Sequence, residues 1–118
     1  MTEPDYILTQ DDFDGWIEDL PKAKKGKGAF CNAEDEKCCL GVLAERMGDL
    51  SEERNWLGCR YISRDPLAFG LAVRCGNYLY GLDEKTQKEL AHINDTSDTF
   101  EPVIEHIQKL RKMDKFNA

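Results

Sequence analysis

Apolar side chains along this chain recur mainly at helical spacing. Phe13, Trp16, Ile17 and Leu20 fall at i, i+3, i+4 and i+7, which lines one face of a helix over residues 11–20. Thr9, with Asp12 three residues on, supplies a capping signal, and Pro21 ends the run. A second helix fits residues 38–47, with Leu40, Leu43, Ala44 and Met47 on one face and Gly48 as the stop. Gly41 inside it costs about 1 kcal/mol relative to alanine, so a close backbone contact is expected there. Near the C-terminus Asp83 is a natural N-cap for a helix over residues 84–93, and the polar cluster 94–98 breaks it. Thr99 then caps a last helix in which Phe100, Val103, Ile104, Ile107 and Leu110 keep the helical period. These last two helices form an expected αα-hairpin.

Between the helices the pattern changes. Residues 21–28 hold four lysines and two glycines without apolar periodicity and read as a mobile basic loop. Residues 29–31 suggest a short strand, 32–37 a polar turn, and 56–62 a weakly alternating strand. Two β-prone runs, 71–75 and 78–80, flank Gly76-Asn77, a recognised hairpin signal. The expected fold class is therefore α+β. It is a mainly helical single domain over residues 1–118, about four helices with a small antiparallel hairpin or sheet, and a frayed end at residues 1–8.

Composition narrows the function classes. The 118 residues are 33% charged and 41% hydrophobic, with a net charge of −7, which is too apolar for wholesale disorder. Such acidity disfavours nucleic acid as a partner, because phosphate neutralisation needs clustered Lys and Arg. With neither a signal-peptide pattern nor an apolar run of about 20 residues, the expectation is a cytoplasmic protein without a membrane partner. The charge is also localised. Met1 to Leu20 contains seven acids and no Lys or Arg, and from Pro21 onward 16 acids face 16 bases.

Candidate chemistry is sparse. Five cysteines (Cys31, Cys38, Cys39, Cys59 and Cys75) are an odd number and include an adjacent pair, so reduced thiols are expected. With His92 and His106 they form no Cys-x-x-Cys or His-x-x-x-His pair, and no metal or cofactor is assigned. Cys38 and Cys39 open a helix, where a thiol pKa can fall, but no local base accompanies them. Gly26-Lys27-Gly28 lacks the Lys-Ser/Thr ending of a phosphate loop, although Lys22, Lys24, Lys25 and Lys27 together could attract a nucleotide or other small ligand. No carboxylate pair stands out as an acid/base couple, so no catalytic residue is named. The acidic helix is the remaining candidate surface. Asp12, Asp14, Glu18 and Asp19 could meet a basic protein, with Trp16 as an anchor where exposed. As a DNA mimic it is short, since ten helical residues rise only about 15 Å.

Residues 25–30 leading into Cys38-Cys39-Leu40-Gly41-Val42-Leu43, with the later Leu90-Ala91-His92-Ile93-Asn94-Asp95 and residues 100–104, resemble small proteins encoded in phage and prophage genomes. A glycine often follows the Asn-Asp pair in that group, where this chain has Thr96-Ser97-Asp98. The resemblance carries no established activity and no residue roles. It implies a small viral accessory protein, and with the one-signed acidic helix as its surface the leading expectation is a protein that binds a host protein without catalysis, in anti-defence or host take-over. A nucleotide or small-ligand binder using the lysine loop is the alternative.

Overall fold

The computed structural model describes residues 7–27, 30–54, 56–60 and 80–116. Its elements are α1 (Gln10–Asp19), α2 (Cys39–Arg46), α3 (Glu84–Asp95) and α4 (Glu101–Arg111), with 3-10 turns at Leu20–Lys22 and Asp114–Phe116. The principal contacts close a ring, in which α1 packs on α2 and α4, and α3 packs on the same two helices.

Each helix starts and stops for a local reason. In α1 the Thr9 hydroxyl accepts the Asp12 N–H at 3.1 Å while Asp12 accepts the Thr9 N–H at 2.9 Å, a complete capping box. Phe13, Trp16 and Leu20 face the core, with Ile17 packed at its edge. The Trp16 indole N–H donates to the Cys39 carbonyl at 2.9 Å, so this large side chain is buried with its polar atom satisfied. Helix α2 begins at Cys38, whose sulfur accepts the Gly41 N–H, and is stopped by Gly48 at φ +78°. It is buried on more than one face, for Cys39, Gly41 and Val42 join Leu40, Leu43 and Ala44 inside. A Cβ on Gly41 would stand 1.8 Å from the Phe30 carbonyl oxygen, which is the close backbone approach its position implies.

Asp83 caps α3 by accepting the Thr86 N–H at 2.8 Å, and that bond holds its carboxyl below the usual range. The helix runs on through Asn94 and Asp95 rather than breaking before them. In α4, Val103, Ile107 and Leu110 are buried and Ile104 packs beside them. Thr99 contributes only a long 3.4 Å contact to the Glu101 N–H. The C-terminal turn is tied back to α1. Gln10 donates to the carbonyls of Arg111 and Phe116 at 3.0 and 2.8 Å, and Arg111 returns a bond to Gln10 at 2.7 Å.

The expected α+β class is corrected. The described residues are mainly helical and contain no strand or sheet, only isolated bridges joining Lys25 to Lys37 and Cys31 to Lys37 and Arg60. Residues 32–37 form the expected polar turn, in which Asn32 Oδ1 accepts the N–H groups of Glu34 and Glu36, both at 3.0 Å, and Asp35 turns to φ +62°. Residue 29 of the strand expected over 29–31 lies outside the described residues, and because the turn starts directly after Cys31 the pairing there stays at single bridges. Residues 56 and 57 form a turn instead of a strand. The hairpin expected over residues 71–80 lies outside the described residues except for Tyr80, which sits in a turn at φ +55°. Leu8, expected in a frayed end, is buried and donates its N–H to the Tyr80 carbonyl at 3.1 Å. Among the described residues no helix is long and apolar enough to cross a membrane.

Candidate functional site

The basic segment after α1 is not a free loop. Lys37 N–H donates to the Lys24 carbonyl and Gly26 N–H to the Lys37 carbonyl, both at 2.8 Å, so residues 24–26 lie alongside the approach to α2. Asn94, fully buried at the end of α3, fixes the same segment from beneath. Its side-chain NH₂ donates to the Gly26 carbonyl at 3.0 Å and its oxygen accepts the Cys39 N–H at 3.2 Å. One side chain thus joins the lysine segment, the start of α2 and the end of α3.

This anchoring divides the four lysines. Lys25 donates to the Asn94 backbone carbonyl at 2.6 Å and lies 5.8 Å from the centre of the Phe100 ring. Its charge meets the negative end of α3. Burial, followed by the neighbouring Lys27, lowers its pKa from the ordinary lysine value. Lys27 reaches Asp98 at 4.0 Å. Lys22 and Lys24 go the other way, Lys22 to Glu18 at 3.4 Å and Lys24 to the Glu34 carbonyl at 3.0 Å. Together with Asp19, Asp35, Lys37, Glu45 and Arg46, and with Ala23 and Val42 as apolar lining, Lys22 and Lys24 border a groove of about 490 Å³. Arg46 occupies the space a Cβ on Gly15 would fill and bonds Asp19 at 3.1 Å, which fastens the groove wall to α1.

The acidic candidates have structural partners. Asp12 closes the capping box, Asp14 is bound by the Arg111 guanidinium and Asp19 by Arg46. Glu18 is exposed beside Lys22, and Asp11 also faces solvent. Trp16 does not serve as a surface anchor, because it is 0% exposed. The exposed tryptophan is Trp56, at 74%, followed by Leu57 at 54%. Arg54 braces their turn. It donates to the Gly58 carbonyl at 2.8 Å, the Asn32 carbonyl at 3.3 Å and the Asp35 carboxylate at 2.6 Å. That last bond lowers the Asp35 pKa and raises that of Arg54.

The thiols are placed as core atoms. Burial pushes Cys38 up to about 12 and Cys39 well above the ordinary thiol value, overriding their position at the start of α2. Cys39 S–H points at the Leu90 carbonyl, 3.8 Å away. Cys31 and Cys59 are buried as well, and Cys31 is likewise shifted up by desolvation. His92 is exposed on α3, while His106 Nε2 stands 3.7 Å from Glu89. No group of three metal-ligating side chains converges among the described residues.

Of the residues singled out from the sequence, Lys22 and Lys24 of the basic segment and Asp19 of the acidic helix border the groove, whereas Lys37, Arg46 and the Trp56 turn were not singled out. Lys37 and Arg46 carry no local motif. At Trp56 the available signal is Gly58 two residues on, a turn residue that argues against the strand expected over 56–62. Comparison with protein-family models, curated proteins and solved structures found no match to this chain.

Proposed function

We propose that the chain is a non-catalytic binding protein that engages another protein through the turn bearing Trp56 and Leu57. The observation that carries this reading is a tryptophan 74% exposed on a turn held by three Arg54 hydrogen bonds. Tryptophan is enriched at interface hot spots, and a braced turn loses little conformational freedom on docking. The exposed carboxylates of Asp11 and Glu18 keep a steering role toward a basic partner. The resemblance to phage-encoded proteins favours a host protein, with anti-defence or host take-over as the setting.

A photo-crosslinking residue at position 56, compared with one at position 85 on the exposed face of α3, tests this in host lysate. A discrete adduct from position 56 alone, lost on competition with unlabelled wild type but not with Trp56→Ala/Leu57→Ala, supports the reading. The same adducts from both positions, or equal competition by the double variant, would reject it.

A further inference from the structure

The groove between the end of α1 and α2 differs in charge balance from the chain that holds it. Each carboxylate in its lining is already matched. Asp19 is bound by Arg46 at 3.1 Å, Asp35 by Arg54 at 2.6 Å, and Glu45 by both Lys37 at 3.7 Å and Arg60 at 3.8 Å. Two cations at the rim are held more loosely. The ion pair of Lys22 with Glu18 involves side chains 69% and 71% exposed, and such pairs contribute little. Lys24 donates to a neutral carbonyl, which leaves its charge uncompensated by that contact. The lining itself holds the four cations Lys22, Lys24, Lys37 and Arg46 against the three carboxylates Asp19, Asp35 and Glu45. A local surplus of one positive charge thus sits on a chain whose net charge is −7.

The framework under those cations is fixed. Lys24 and Lys37 lie on segments joined by backbone hydrogen bonds of 2.8 Å, and the Lys37 side chain is only 12% exposed. Arg46 is held against Gly15. The volume, about 490 Å³, lies within the range of small-ligand pockets. We infer that this groove binds a small phosphate-bearing anion, with Lys22 and Lys24 closing on it from the rim and Lys37 and Arg46 lining the wall. Both rim lysines can leave their present contacts at small cost, and an ammonium is a strong donor to phosphate oxygens. This site is separate from the Trp56 contact and does not depend on it.

Amide-resolved NMR titration with inorganic pyrophosphate, and in parallel with ADP, tests the inference at low ionic strength. Wild type should show saturable shifts centred on residues 22–24, 37 and 46. The Lys22→Ala/Lys24→Ala variant removes exposed side chains and should bind at least about fivefold more weakly, as expected for lost charge-assisted bonds. Lys85→Ala/Lys88→Ala removes the same charge from the exposed face of α3 and should bind like wild type. Tighter binding of ADP than of pyrophosphate assigns a nucleotide-borne phosphate, and equal binding a free oligophosphate. No saturable shift at these positions by about 5 mM, or an equal loss in both double variants, overturns the site, because bulk charge screening would then account for any response.

Discussion

Replacing Asn94 by leucine should be among the more damaging single changes in the described part of the chain, although residues 94–98 look like a surface break in the sequence. The side chain is fully buried, and it satisfies the Cys39 N–H at 3.2 Å and the Gly26 carbonyl at 3.0 Å. Cys39 is the first residue of α2, so its N–H has no partner within the helix. Leucine fills similar volume but leaves a buried donor and a buried acceptor unsatisfied, at about 1–3 kcal/mol each. The expected loss is therefore about 2–6 kcal/mol, against a total stability of about 5–15 kcal/mol for a domain of this kind. Urea denaturation followed by far-UV circular dichroism reads it as a lower midpoint at unchanged slope. Asn94→Asp should also destabilise, because it keeps an acceptor for Cys39 but turns a buried carboxylate oxygen toward the Gly26 carbonyl and the Asp95 carboxylate that the Asn94 amide now bonds. A change under about 0.5 kcal/mol for the leucine variant would refute the reasoning, since surface substitutions stay in that range.

The remaining predictions address other parts of the structure. Gly41→Ala should destabilise by about 2 kcal/mol or more because the new Cβ would meet the Phe30 carbonyl at 1.8 Å, whereas helix propensity alone predicts a gain of about 1 kcal/mol; the sign in a urea titration decides. Asp83→Ala should cost about 1 kcal/mol at neutral pH through loss of the cap to Thr86. Since the folded carboxyl titrates below its unfolded value, that contribution is full above the ordinary carboxylate range near 3.9 and vanishes as pH falls through the lower folded value. The gap between variant and wild type should close on acidification, and a constant gap would contradict the assignment. Native alkylation by iodoacetamide at pH 8 should leave Cys38 and Cys39 unmodified on the timescale that labels an exposed thiol, read by peptide mass spectrometry; fast labelling of Cys38 would contradict its value of about 12. In Trp16→Phe the remaining fluorescence should be quenched readily by iodide, while Trp56→Phe should leave a protected emitter, as expected of indoles at 0% and 74% exposure.

How far the fold was legible depended on whether the deciding contacts were local. Among the described residues the apolar period located α1, α2 and α4 and the Asp83 cap located α3, and Thr9 with Asp12, Gly48 and Asp83 marked ends that the structure places within a residue or two of expectation. Those signals act over three or four residues, which is the range a sequence pattern carries. The short strands failed for a physical reason. Pairing depends on what lies opposite, and the turn centred on Asn32, which starts directly after Cys31, confines it there to single bridges. The same polar chemistry misled the reading of Asn94. An Asn near a helix end competes with the helix when solvated, yet here its amide reaches two other segments and the helix continues through it.

The site was less legible because charge alone does not say which partner a side chain meets. The acidic first segment suggested one continuous surface, but helical geometry turned Asp14 toward Arg111 and Asp19 toward Arg46, residues 97 and 27 positions away. Each of those pairings joins α1 to a neighbouring helix, so much of the acidity serves the fold. The lysine run behaves in the same way. Lys25 is drawn to the end of α3, and Lys22 and Lys24 are left on the groove side with Lys37 and Arg46. What distinguishes the groove is therefore two rim ammonium groups with weak present contacts, Lys22 in an exposed ion pair and Lys24 on a neutral carbonyl. That arrangement exists only once the distant carboxylates have found their cations, and the contrast between Lys22→Ala/Lys24→Ala and an equal charge loss on α3 tests it directly.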